Sequence, residues 1–213
     1  MSLTKAEIII QEIGRRALLV APVDYPSEDG YEKEHSIRMA KQYEIHRLGG
    51  LKAYEQFTFE KYTNKSAIDK CAGFPNNNLY IWGKSGTGKT HLATAIIRGM
   101  PNATVYKPAH IFRKLRMKDG AEEQSIIDGI AKMPVLLIDD LGVEKKTDFS
   151  ISMLYEIIEQ RDMNYQKGLI VTSNLSLGAL AERIGDDRIC SRLAGMCKII
   201  ELTGEDHRIK NTL

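Results

Sequence analysis

Asn78-Leu-Tyr-Ile-Trp-Gly-Lys-Ser-Gly-Thr-Gly-Lys-Thr-His91 is the stretch whose reading decides the fold. Leu79 to Trp82 is a short apolar run that reads as a buried strand. Gly83 to Thr90 fits G-x-x-x-x-G-K-T, and His91-Leu-Ala-Thr-Ala-Ile-Ile97 continues at helical spacing. Strand, glycine loop and helix in that order is the context in which the pattern cradles phosphate. Gly83, Gly86 and Gly88 let the backbone curl so that its N–H groups point inward at an anion, and the helix N-terminus adds its dipole there. Lys84, Ser85, Thr87 and His91 complete the expected nucleotide contacts. Lys89 is expected to reach the β- and γ-phosphates of ATP, and the Thr90 hydroxyl to ligate Mg²⁺. The alternative is a glycine-rich turn ahead of an ordinary helix.

A chain of 213 residues, 43% hydrophobic, has enough apolar surface for one full core and a small appendage. A net charge of +2 is too small to imply nucleic acid by itself, so any basic site must be local. Cys71, Cys190 and Cys197 are odd in number and lack C-x-x-C spacing, which suits a reduced compartment better than a disulfide framework. No apolar run is long enough to span a bilayer and the start lacks a signal pattern, so no membrane partner and a cytoplasmic location are expected.

Residues 1–50 read as a helical arm. Thr4 starts a helix to about Leu19, Ala21 to Gly30 is a polar, turn-forming linker, and a charged second helix runs from about Tyr31 to Leu48 before Gly49-Gly50. Its sparse apolar positions cannot build a separate core, so the arm either docks on a partner or packs back on residues 51–213. Within 51–213, short apolar strands alternate with helices: Leu79–Trp82, Thr104–Lys107, Val135–Asp139, Gly168–Thr172 and Cys197–Leu202. That alternation specifies an α/β fold with a parallel five-stranded sheet between helices.

Val135-Leu-Leu-Ile-Asp-Asp-Leu-Gly142 puts two carboxylates at the exit of an apolar strand, where they cost stability unless a cation meets them. The carboxyl ends of parallel strands are also where open α/β sheets bind ligands. Asp139 is the expected magnesium partner, acting through water, and Asp140 the candidate for polarising the attacking water. The alternative is a strand exit with two loop acids. Val171-Thr-Ser-Asn174 ends another buried strand, and Asn174 is the candidate for holding that water; otherwise Ser173 or Asn174 caps the next helix. Arg188 and Arg192 fall at i, i+4 on one helix face, where a guanidinium could serve a γ-phosphate, its own or a neighbouring subunit's. Ion pairing with Asp186, Asp187 or Glu182 is the competing fate.

Together these motifs resemble the DnaC/IstB-type AAA+ ATPases, which include replicative-helicase loaders and transposition helper ATPases. The resemblance covers about Phe57 to Arg208. It implies Walker A at Gly83–Thr90, Walker B at Leu136–Gly142, sheet order 5-1-4-3-2, a sensor-1 residue at Asn174, and a trans arginine finger for which Arg192 matches best and Arg188 second. Arg161 matches a recurrent arginine that is expected at the subunit interface. The family often carries Asp-Glu in Walker B; here Asp-Asp shortens the presumed base by one methylene, which implies slow hydrolysis. The stretch from Leu193 to Leu213 is too short for a full helical lid. Gly204-Glu-Asp-His-Arg208 resembles the family's short ending, with His207 in a tyrosine position.

Lys107-Pro-Ala-His-Ile-Phe-Arg-Lys-Leu-Arg-Met-Lys118 is the best basic surface for DNA, with Lys107, Arg113, Lys114 and Lys118 opposite a packed side of Ile111, Phe112 and Leu115. In a ring or spiral of subunits such a face tracks the phosphates of single-stranded DNA; alone it is a solvated helix face. Two functions follow from the resemblance. One is a loader whose arm grips a hexameric replicative helicase and whose ATP-dependent self-assembly delivers it to single-stranded DNA. The other is a transposition helper that binds duplex DNA and recruits a transposase.

Overall fold

The computed structural model describes Ile8, Ile9, Gln11, Glu12 and Tyr54, and residues 56–206 apart from Gly99, Pro101, Asn102, residues 117–119 and Lys145. The expected linker near 21–30, the second arm helix, Lys118, His207 and Arg208 lie outside these residues, as does the side chain of Lys114.

From Lys65 on, the elements are α1 (Lys65–Lys70), β1 (Asn78–Trp82), α2 (Lys89–Ile97), β2 (Ala103–Tyr106), α3 (Pro108–Leu115), α4 (Gly120–Ala131), β3 (Val135–Leu141), α5 (Asp148–Met163), β4 (Leu169–Ser173), α6 (Leu177–Ile184), α7 (Arg188–Met196) and β5 (Cys197–Glu201). Every strand pairing is parallel and the order is β2-β3-β4-β1-β5, as expected. The two-residue period of a strand explains the continuous apolar runs. Leu79, Ile81, Val135, Leu137 and Ile170 face a cluster with Ile68, Leu92 and Ile96 from α1 and α2. Their neighbours Tyr80, Leu136, Ile138, Leu169 and Val171 face a second cluster with Ile111, Leu115, Ile157, Leu180 and Leu193. Both faces of the sheet are therefore dry along β1, β3 and β4, which is why these strands read as apolar runs, while the edge strand β5 is exposed at Lys198, Ile199 and Glu201.

Ile9, in the helical part of the arm that is described, packs against the first cluster beside Phe57 and Phe59. At the start of α5 the Thr147 hydroxyl accepts from Ser150 N at 3.1 Å and Ser150 Oγ accepts from Thr147 N at 3.0 Å, a reciprocal cap. No helix among the described residues is long and apolar enough to cross a membrane.

Arg161 corrects one expectation. It is 0% exposed, on the same stripe of α5 as Leu154, Ile157 and Ile158. Its Nη1 donates to the carbonyls of Ala131 (2.9 Å) and Met133 (2.8 Å), and Nη2 donates to that of Lys167 (2.9 Å). Burial draws the guanidinium down to about 10, still charged at neutral pH. The residue ties the end of α4 and the turns before β3 and β4 together, and is not at a surface.

Candidate functional site

The glycine loop follows β1 directly. Gly83 N donates to Ser173 O at 3.2 Å, and beyond β5 Leu202 N donates to Trp82 O at 2.7 Å. A β-carbon on Gly83 would collide with the Leu202 carbonyl, so only glycine fits where the loop leaves the sheet. Gly88, at φ 86°, makes the left-handed step that opens α2 without a side-chain cap. The glycine loop therefore leads into the N-terminus of α2, where backbone N–H groups and the helix dipole favour an anion. Within the loop the Thr87 hydroxyl donates to Lys84 O at 2.9 Å, and Lys89 Nζ donates to the carbonyls of Gly83 (2.8 Å) and Lys84 (2.7 Å). Lys84 and Ser85 are exposed at the loop's outer turn.

His91 differs from the expected nucleotide contact. Its ring stacks on Phe57 with centroids 5.0 Å apart and meets the Tyr62 ring edge-on at 5.2 Å. Its Nε2–H donates to Thr58 O at 2.8 Å, so the side chain braces α2 against segment 57–62.

Asp139 is wholly buried and collects donors from three elements. Oδ1 accepts from the Thr90 hydroxyl at 2.8 Å and from the Thr172 hydroxyl at 2.7 Å; Oδ2 accepts from the Tyr54 hydroxyl at 2.8 Å. Burial, then the Asp139 charge, push the Tyr54 phenol far above its ordinary value, which keeps it a donor. Strand parity explains the meeting: Asp139 continues the face of Val135 and Leu137, and Thr172 the face of Ile170, both toward α2. Asp140 breaks the pattern at φ 63°, where β3 loses its register with β4, and its N–H donates to the Thr172 hydroxyl at 2.9 Å. Aspartate is one of the few non-glycine residues that tolerate this conformation.

Lys107 is the second correction. Counted with the basic face of α3, it is instead the residue before Pro108, extended at φ −90° and ψ 132° as that position requires. The pairing of Tyr106 with Ile138 carries it alongside the acids, where Nζ lies 3.1 Å from Asp140 Oδ2 and 3.6 Å from Asp139 Oδ2. Burial alone would depress its ammonium, but the hydrogen bond to Asp140 and the charges of both carboxylates hold it above the usual lysine value. On α3 itself Ile111, Phe112 and Leu115 are buried and Arg113 is exposed.

Asn174 is exposed just beyond β4 and does not cap α6; Ser176 does, accepting from Ala179 N at 3.3 Å. Ser173 is buried and donates to Leu141 O at 2.7 Å. On α7, Arg188 pairs with Asp186 at 2.6 Å and covers the Tyr155 ring at 4.6 Å. Arg192 reaches α5 instead, with Nη2 2.6 Å from Glu159, Nη1 2.9 Å from Asp162, and a 3.1 Å bond to the Tyr155 hydroxyl. The ion-pair reading with a near neighbour in sequence thus holds for Arg188 only.

Thr172 and Tyr54 are the contacts that sequence reasoning missed. Thr172 had a signal, a hydroxyl on the α2-facing parity of an apolar strand. Tyr54 had none, lying 85 positions from its partner.

The donor set suits magnesium. Among the described residues no three His, Cys, Asp or Glu side chains gather into a metal-binding group. Magnesium on a nucleotide does not need one: it takes one or two protein oxygens and fills its shell with phosphate and water. A hydroxyl hydrogen-bonded to a buried carboxylate at a glycine loop, Thr90 with Asp139, supplies that pair.

The chain is 25% identical over 194 residues to the IS21 putative ATP-binding protein of Pseudomonas aeruginosa, covering 83% of this chain and 71% of that one. It is 26% identical over 149 residues to the replicative helicase loader DnaI of Bacillus subtilis, covering 61% and 47%. It spans about half the length of most of the curated relatives it matches. Among solved structures, the DnaC helicase loader superposes with TM-score 0.61 at 23% identity, over 72% of this chain and 100% of that one, a likeness of fold. Residues 27–213 match the family model described as IstB-like ATP binding protein, and with its parallel five-stranded sheet and phosphate loop the chain belongs to that ATP-binding family.

Proposed function

We propose that this chain is an ATP-driven helicase loader: it binds ATP and magnesium at the glycine loop, assembles with copies of itself, and delivers a hexameric replicative helicase onto single-stranded DNA. The observation that carries the nucleotide reading is the buried meeting of Thr90 and Thr172 on one oxygen of Asp139, beside a glycine loop whose lysine points back at its own carbonyls. The loop amides receive phosphate oxygens, and Lys89 exchanges the Gly83 and Lys84 carbonyls for them. Thr90 and Asp139 hold the metal, which supplies charge neutralisation on the phosphates when bound. Asp140 accepts the proton of the attacking water and Asn174 orients it. The short reach of Asp140 makes hydrolysis slow, so ATP acts as an assembly switch, favouring one state on binding and releasing it on hydrolysis. Arg192 serves the nucleotide of a neighbouring subunit, with Arg188 beside it.

The arm, residues 1–50, is the part that grips the helicase. Ile9 rests on the core that holds β1, and Tyr54, just past the arm, touches Asp139, so arm and nucleotide share a support. Arg113, exposed on α3, contacts the phosphates of single-stranded DNA, together with Lys114 and Lys118 of the same basic stretch. A second reading, a transposition helper on duplex DNA, is favoured by the longer match to the IS21 protein. Mixing the purified chain with the hexameric helicase of its own organism, and sizing the product with and without ATP, separates the two. The loader reading expects an ATP-sensitive complex larger than the helicase alone. Absence of that complex, together with ATP-dependent coating of duplex DNA, favours the helper.

A further inference from the structure

The carboxylates of Asp139 and Asp140 are unlike a pair of loop acids. Asp139 is 0% exposed, and the three hydroxyls that donate to it bring hydrogen bonds but no charge. Among the described residues Lys107 is a cation that meets both acids, and its place is set by structure on either side. The β2–β3 register ends one residue before it, Pro108 fixes its backbone as extended, and Asp140 is anchored to Thr172 through its own N–H. A surface ion pair between two flexible side chains contributes little, but one that meets a buried carboxylate from a fixed strand end offsets a real desolvation cost.

We propose that Lys107 is a tethered cation that competes with the divalent metal for Asp139 and Asp140, and so sets the magnesium concentration at which the chain takes up ATP. This rests on the nucleotide reading above and adds a regulation to the same site. Two effects of opposite sign follow. With magnesium present, the ammonium repels the incoming metal and must yield part of its hold on the carboxylates. Without magnesium, the ammonium is what keeps two adjacent carboxylates from repelling a triphosphate. A residue that only supports the fold would weaken binding in both conditions.

The test uses the 213-residue chain and a fluorescent ATP analogue, titrated with magnesium and, separately, in excess chelator. Lys107→Met is expected to reach half-saturation at about tenfold less magnesium than wild type, the size of a partly screened like-charge contact, and to bind the analogue several-fold more weakly in chelator. Lys107→Arg keeps the charge and leaves the magnesium midpoint in place. Lys107→Gln, uncharged but polar, repeats the test with a side chain that keeps hydrogen-bonding capacity. An unchanged or higher midpoint in Met and Gln variants, with wild type binding normally, overturns the competition. So does a melting temperature far below wild type in both, since the lysine would then be a support of the fold. A wild-type chain that binds no analogue at any magnesium level overturns the nucleotide reading itself.

Discussion

Arg161→Ala is expected to lower the melting temperature by roughly 10 °C or more, through a loss of about 4 kcal/mol. Three carbonyls accept from this guanidinium; in its absence Met133 O keeps Gln166 Nε2 as a donor at 2.9 Å, whereas those of Ala131 and Lys167 lose the donor that Arg161 gives them. Hydrogen bonds to a charged group contribute about 1.5–3 kcal/mol each, and a domain of this kind is stable by only about 5–15 kcal/mol. Arg161→Lys keeps the charge but lacks the planar fork that spans three acceptors, so about half the loss should remain. Thermal melts of the two variants measure this. The interface role implied by family resemblance predicts the reverse: a variant as stable as wild type that fails only to assemble.

Mixing two inactive proteins is expected to restore ATP hydrolysis. Lys89→Ala removes the lysine that reaches phosphate, and Arg192→Ala removes a guanidinium proposed to act across a subunit boundary, where such residues contribute about 10³–10⁵ in rate. In a mixed assembly some interfaces carry an intact loop on one side and an intact arginine on the other, so turnover should return to a sizeable fraction of wild type. Within the chain Arg192 is held by Glu159, Asp162 and Tyr155 on α5, so a neighbour's nucleotide must draw it from those partners. Activity that stays absent in every mixing ratio places the arginine's role within its own subunit.

The central strands were legible because both of their faces are covered, and strands buried on two sides read as unbroken apolar runs. Some boundaries moved by a residue or two, β3 running on to Leu141 because Asp140 turns inside it. Thr90 and Asp139 were legible because a motif and a strand exit point at the same spot. Lys107 departs from the expected basic helix face because it directly follows the last residue of β2, where sheet register and not helix face decides the neighbours. Arg161 was expected at an interface on the family resemblance alone, although its spacing from Leu154, Ile157 and Ile158 follows the buried stripe of α5. Tyr54 could not have been found from local pattern, since only the folded chain brings it to Asp139.

Equilibrium titration of the 213-residue chain with a fluorescent ATP analogue and magnesium tests the central claim most directly. Saturable binding by wild type that disappears in Lys89→Ala, with both proteins folded by circular dichroism, is the predicted result. A flat curve from folded wild-type protein, or equal binding by the Lys89 variant, would contradict it.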